Sequence, residues 1–221
     1  MSAWQEFSES YPDNIAVRGF LHMPESSSGD GIVLTHGAGA NCQSALLIAL
    51  ANEFCERGMT VLRFDLPFRQ LRAHGPPIRG SAARDQEGVR RAIDSMRKMA
   101  KGSIFAGGHS YGGRQASMVA ASNPGLTDGL LLLSYPLHPP QRPTELRTAH
   151  FPELQTPALF VSGSRDGFGT AEEITSALKL ISSSTRLMTI VGTGHELLSK
   201  KNQDEVPRKI ADEFKTMFGA A

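Results

Sequence analysis

The amino-acid sequence predicts an α/β fold with a mostly parallel central sheet and helices on both faces. Three observations predict it. Ile32–Thr35, Thr60–Phe64, Ile104–Gly107, Leu130–Leu133 and Ala158–Val161 are short runs that are apolar almost throughout. Such runs belong to strands buried on both faces, the usual condition of a parallel sheet. Helix-period segments separate the runs, and strand alternating with helix is the rhythm of a sheet wound through crossovers. Last, Gly108-His109-Ser110-Tyr111-Gly112 stands between an apolar run and a helical stretch, as a strand–turn–helix corner requires.

The elements follow in order. Ile15–Met23 reads as an early strand and Ser26–Gly31 as a flexible turn. After the Ile32–Thr35 strand, Ser44–Arg57 reads as a helix ended by Gly58, a residue suited to a left-handed cap. The Thr60–Phe64 strand leads into Pro67–Gly80, a proline- and arginine-rich loop. An amphipathic helix comes next. Val89, Ile93, Met96 and Ala100 lie on one side, and Arg90, Arg91, Arg97 and Lys98 on the other, with Gly102 closing it.

Ile104–Gly107 feeds the corner, and Arg114–Ala121 is the helix beyond it. Its small residues Ala116, Ala120 and Ala121 suit close packing on a sheet, and Asn123-Pro124-Gly125 stops it. Pro136–Pro157, after the Leu130–Leu133 strand, carries too many prolines to be one long element. Ala158–Val161 is a strand, Ala171–Leu180 a helix and Leu187–Val191 the last strand. Val206, Ile210 and Phe214 mark a terminal amphipathic helix. No internal repeat or linker breaks this order, so residues 1–221 read as a single domain.

Composition narrows the classes of function. The chain has 221 residues, 40% hydrophobic and 20% charged, with a net charge of +1. That is an ordinary globular balance, with no electrostatic reason to expect nucleic acid or an anionic membrane as partner. No apolar stretch approaches the roughly 20 residues that span a bilayer. Met1–Glu6 lacks the basic and apolar regions of a leader, so a cytoplasmic location is expected. Cys42 and Cys55 are read into one helix, about 20 Å apart and beyond disulfide reach. Two thiols do not make a metal site, and neither metal nor cofactor is expected. Cys42 follows a glycine loop assigned below to the site, which makes it the candidate reactive thiol.

A serine hydroxyl is a weak nucleophile until a base takes its proton, and the base needs an orienting acid. Ser110 is the candidate nucleophile. Gly108 and Gly112 lack the Cβ that would keep strand and helix apart at so sharp a turn. Asp166, in Ser164-Arg165-Asp166-Gly167 directly after the Ala158–Val161 strand, is the candidate acid. Site residues of open parallel sheets collect beyond the carboxyl ends of the strands, which favours it over acids on helices. An aspartate before glycine also suits a plain turn. His195, in Gly192-Thr193-Gly194-His195 after the last strand, is the candidate base. Serine, then acid, then histidine is the chain order expected for such a corner. The loop His36-Gly37-Ala38-Gly39-Ala40 can aim main-chain N–H groups at a developing oxyanion. The amides of Ala38 and of Tyr111, the residue after the nucleophile, are the assigned donors.

Together these residues resemble the α/β-hydrolase superfamily over nearly the whole chain. Five phrases resemble the small testis-expressed and acetyltransferase-complex hydrolase-like group and its bacterial relatives, close to dienelactone-hydrolase-like proteins. They are Leu34-Thr35-His36-Gly37-Ala38-Gly39, Arg63-Phe64-Asp65-Leu66-Pro67-Phe68, Gly108-His109-Ser110-Tyr111-Gly112-Gly113-Arg114, Leu133-Ser134-Tyr135-Pro136-Leu137-His138 and Ser162-Gly163-Ser164-Arg165-Asp166. The resemblance implies a Ser-His-Asp hydrolase architecture and no particular substrate. Dienelactone hydrolases carry a cysteine nucleophile, whereas Ser110 stands here. Many relatives insert a lid where Pro136–Pro157 lies, a segment too short for a multi-helix cap. A shallow site for small esters is therefore expected, with Phe68, Tyr135 and Leu137 as apolar walls and His36 and Arg69 beside the substrate. Asp65, Arg69, Arg72 and His74 share the loop after Phe64. The economical reading pairs Asp65 with an arginine in a solvated loop; the alternative is a wall that prefers acidic acyl groups. The expected activity is cleavage of a small carboxylic ester or thioester. A fold kept as an interaction module and acyl transfer by the same residues are the alternatives.

Overall fold

A computed structural model describes residues 4–219. Met1–Ala3, part of the segment read as lacking a leader, lie outside the described residues. Eight strands form one sheet: β1 Trp4–Glu9, β2 Val17–His22, β3 Gly31–Thr35, β4 Thr60–Asp65, β5 Ile104–His109, β6 Gly129–Leu133, β7 Ala158–Gly163 and β8 Thr185–Ile190. Their spatial order is β1-β2-β4-β3-β5-β6-β7-β8. β1 and β2 are antiparallel to their neighbours and every other pairing is parallel. The helices are α1 Ala45–Glu56, α2 Pro67–Leu71, α3 Ala82–Met99, α4 Tyr111–Ser122, α5 Ala171–Leu178 and α6 Glu205–Phe218. No helix among the described residues is long and apolar enough to cross a membrane.

The two-residue period of the strands sends neighbouring side chains to opposite cores. Val33, Leu130 and Leu132 join the core under α3, α4 and α5, with Val89, Ile93, Val119 and Ile174. Ile32, Leu34, Leu131 and Leu133 join the other, with Leu47, Leu50, Phe54, Ile210 and Phe214 of α1 and α6. That division is why the strands read as continuous apolar runs. On the second face, Phe214 stacks edge-on against Phe54 at 5.1 Å and Phe105 at 4.9 Å. Each such pair adds about 0.5–1.5 kcal/mol beyond area burial. These rings hold α6 to the sheet, and α6 holds the downstream end of the loop that carries His195.

Two elements escaped the sequence reading. β1 (Trp4–Glu9) is an exposed edge strand with a mostly polar sequence, and only its ladder to β2 defines it. α2 occupies part of the segment read as a loop, with Pro67 at its first position, where a missing N–H costs nothing. Cys42 precedes α1 rather than lying in it, so the one-helix reading of the two cysteines is corrected. Both cysteines are buried, and neither is in a disulfide. Burial, reinforced by the neighbouring Asp65, pushes the Cys42 thiol up to about 12, which removes it as a reactive group near neutral pH.

Several histidines are buried and held neutral. Burial lowers His22 and His150 from an ordinary value of 6.5 to about 4, and it lowers His36 and His109 as well. A depressed folded-state value means that the unfolded chain binds these protons first. Stability is therefore complete above about 6.5 and is lost as pH falls towards 4. Urea midpoints measured from pH 7 to 4.5 are expected to fall across that window, and His150→Gln to flatten the slope. A flat profile in the parent protein would contradict the assignment.

Candidate active site

The site lies beyond the carboxyl ends of β3, β5, β7 and β8. Ser110 sits between β5 and α4 with φ of 51° and ψ of −117°. That strained region costs about 1–3 kcal/mol and is sustained only by its surroundings. The Ser110 amide donates to Leu133 O at 2.8 Å, and Ser110 O accepts from Arg114 N at 3.0 Å. A Cβ on Gly108 would stand 2.4 Å from Thr35 O, and one on Gly112 2.5 Å from His36 O. The corner thus closes against β3 only because both positions are glycine.

Three side chains join in series. His195 Nε2 is 2.8 Å from Ser110 Oγ. His195 Nδ1 is 3.0 and 2.9 Å from the two oxygens of Asp166. Carboxylate oxygens accept, so Nδ1 carries the ring proton and Nε2 offers its lone pair to the hydroxyl. The Asp166 side chain is 1% exposed and that of His195 19%, so the acid is shielded while the ring edge meets solvent. Asp166 Oδ1 also accepts from Phe168 N at 2.9 Å. The plain-turn role and the partnership with His195 are both real.

Residues that the sequence did not single out hold this series in place. Phe168 lies against the His195 ring, with centroids 4.2 Å apart and planes 32° apart. The carbonyl of His195 accepts from Ser134 Oγ at 2.6 Å and from His109 Nε2 at 2.8 Å. Ser134 and Leu197 share positive φ with Ser110, at 46° and 60°, so backbone strain gathers around the site. The Asp166-Gly167-Phe168 turn was the available signal for Phe168. Nothing local pointed to Ser134, which acts on a residue far along the chain.

A cleft of about 340 Å³ opens over Ser110, walled by Ala38, Gly39, His109, Phe168, His195 and Glu196. The Tyr111 amide is one of the unfulfilled donors at the start of α4, and Ala38 stands in the cleft wall. The five side chains expected beside the substrate do not line this cleft. His36 is fully buried; its Nδ1 faces Gly37 O at 2.8 Å and its Nε2 accepts from Leu66 N at 3.1 Å. It staples two loops together as a neutral ring. Phe68 is buried between His36 and Tyr111. Tyr135 donates to Arg147 O at 2.6 Å and packs on Phe151 and Phe160. Leu137 is buried in the core under α5.

Arg69 is likewise corrected, from substrate ligand to brace. It donates to Ala40 O at 2.7 Å, Ala38 O at 2.8 Å, Gly75 O at 3.0 Å and Arg72 O at 3.0 Å. A planar fork serving several carbonyls is a task for arginine, and here it fixes the Ala38–Ala40 loop. Asp65 accepts from Cys42 N at 2.7 Å, and among the described residues it forms no ion pair with an arginine. The expected Asp65–arginine pairing is therefore absent there. Pro136–Pro157 contributes one short turn at Phe151–Glu153, whose Phe151 joins the core. No group of three or more His, Cys, Asp and Glu side chains among the described residues is placed to hold a metal ion.

A parallel sheet with a strained serine at its strand–helix corner defines the alpha/beta hydrolase class. Residues 29–218 match the family model described as an alpha/beta hydrolase domain, and the chain belongs to that family. Solved structures agree on the fold. A dienelactone hydrolase from Anabaena variabilis is 21% identical, with a TM-score of 0.73 over 97% of this chain and 99% of that one. Est1E from Butyrivibrio proteoclasticus is 16% identical, with a TM-score of 0.76 over 97% and 99%. XC6422 from Xanthomonas campestris, described as an a/b serine hydrolase without lid, is 15% identical, with a TM-score of 0.77 over 100% and 98%. At such identities the likeness is one of architecture.

Proposed function

We propose that the chain is a serine hydrolase that cleaves small carboxylic esters or thioesters through an acyl-enzyme on Ser110. The observation that carries this reading is the unbroken series from Ser110 Oγ through His195 to Asp166, with contacts of 2.8 to 3.0 Å. Ser110 Oγ bonds to the acyl carbon while its proton passes to His195 Nε2. The carbonyl oxygen gains the electron pair and is met by the amides of Ala38 and Tyr111. The intermediate collapses, the bond to the alcohol or thiol breaks, and His195 returns the proton to the leaving atom. Water then repeats the sequence on the acyl-enzyme and releases the acid. Asp166 keeps the ring in the accepting tautomer and stabilises the imidazolium that forms.

The test is labelling by a fluorophosphonate probe. The native protein is expected to label, and Ser110→Ala to stay unlabelled under the same conditions. An inert native serine would favour a fold kept for interaction.

Cleft size and charge set the expected preference. A volume of about 340 Å³ lies at the small end of ligand pockets, and the wall carries Glu196 with no lysine or arginine. Nitrophenyl acetate and butyrate are expected to turn over faster than the laurate, and neutral acyl groups faster than a hemisuccinate. Equal kcat/KM across the panel would contradict this.

Arg69→Lys is expected to lower kcat about tenfold with little change in KM, since a lysine cannot reach the same carbonyls and a loosened donor costs part of the oxyanion stabilisation. Unchanged kcat would show that the loop holds itself.

A further inference from the structure

We propose that the hollow between α2 and the start of α3 is a second binding site, for a small amphipathic carboxylate. The ligand is an acid whose apolar body lies on Phe68, Leu71 and Ile78 and whose carboxylate meets the arginines of the rim. This goes beyond hydrolysis at Ser110, because the hollow shares no lining residue with the Ser110 cleft. Phe68 lines the hollow, and its ring lies 5.7 Å from that of Tyr111, the residue after Ser110.

Size, apolar floor and charge point to the same ligand. The hollow measures about 450 Å³, within the range that holds small molecules. Leu71 is 72% exposed and Ile78 60%, two large aliphatic side chains left to water in one place. Clustered exposure of that kind marks binding surfaces more often than scattered exposure does. Arg72, Arg79 and Arg84 stand around it, and among the described residues their guanidinium groups make no ion pair. Asp85 follows Arg84 in the chain and feels its charge, but makes no ion pair with it. Its buried carboxylate accepts from Phe68 N at 3.0 Å, Ser81 Oγ at 3.2 Å and Tyr111 Oη at 2.7 Å. Three positive groups therefore face an apolar hollow with their countercharge turned inward. A neutral hydrocarbon would leave the arginines unused. A small inorganic anion would leave Leu71 and Ile78 in water. A carboxylate with an aliphatic or aryl body satisfies both, and arginine matches its two oxygens.

The experiment is calorimetric titration of the full chain with octanoate, octanol and acetate. Octanoate is expected to saturate one site. Octanol and acetate are expected to bind about fivefold more weakly or worse, because each loses one half of the recognition. Leu71→Glu puts a fixed carboxylate against the arginines at an exposed position that tolerates change, and it is expected to abolish binding. The double variant Arg79→Gln with Arg84→Gln is expected to weaken binding by about fivefold at modest salt. Gly39→Phe narrows the Ser110 cleft, where an added Cβ meets nothing within 4 Å, and octanoate should bind it as it binds the parent. Binding lost in Gly39→Phe would place octanoate in the cleft and overturn the proposal. So would octanol binding as well as octanoate, an unaffected Leu71→Glu, or no saturable binding at millimolar octanoate. None of these readouts requires Ser110 to be catalytic, so the proposal and the hydrolase reading fail separately.

Discussion

Ser110→Ala is expected to lower kcat on a short ester by about a millionfold and to change KM little. The proposed nucleophile is a single oxygen, and among the described residues no other hydroxyl is in hydrogen-bond contact with His195 Nε2. Substrate would still sit against the loop of Ala38 and the Tyr111 amide, so weak background turnover above that of water should persist, as it does when a nucleophile is removed but oxyanion donors stay. The variant should also keep a stability close to that of the parent. Alanine at φ of 51° is no easier than serine, but the change removes no structural bond other than the one to His195. Stopped assays on nitrophenyl acetate with matched thermal melts would test both points. A loss of less than about tenfold would mean that turnover does not pass through this oxygen.

Asp166→Asn is expected to reduce kcat by about ten-thousandfold at neutral pH while leaving the fold intact. The shape is kept, and the amide oxygen can still accept from Phe168 N. What changes is the proton on the ring. An amide N–H₂ facing His195 Nδ1 makes that nitrogen an acceptor, so Nε2 carries the proton and points it at Ser110 Oγ. The base is then blocked although every distance is preserved. Fluorophosphonate labelling should slow in parallel with ester turnover. A variant that labelled within about tenfold of the parent would reduce Asp166 to the turn residue that its Asp-Gly context also allows.

Much of the architecture was legible because local chemistry and tertiary demand agree there. The apolar runs at Ile32, Leu130 and Ala158 are strands for the reason read from them, burial on two faces. Gly108 and Gly112 were legible because a corner that tight excludes a Cβ, and the distances to Thr35 O and His36 O bear that out. Ser110, Asp166 and His195 were each chosen from a place after a strand, and the fold brings them within hydrogen-bond reach of one another. The walls of the site were not legible. Phe68, Tyr135 and Leu137 were expected to face the substrate because they are apolar and near in sequence to site loops. They are buried instead, since a large apolar side chain gains more from the core than from a half-wet wall. Arg69 misled for a related reason. Its charge suggested an anion, while its donors are taken by main-chain carbonyls of two segments, Ala38 and Ala40 in one and Arg72 and Gly75 in the other.

By itself the sequence determined the order of strands and helices along the chain apart from β1 and α2, the corner that exposes Ser110, and which three residues could act together. Those are properties of short segments: periodicity, missing Cβ atoms and turn chemistry act over a few residues. The tertiary structure alone decided how the strands are ordered across the sheet, that Ser134 and His109 steady the carbonyl of His195, and that Arg69 braces the Ala38–Ala40 loop. These depend on contacts between residues far apart in the chain, whose partners are chosen by packing and by the need to satisfy buried polar groups, and no local pattern records that choice.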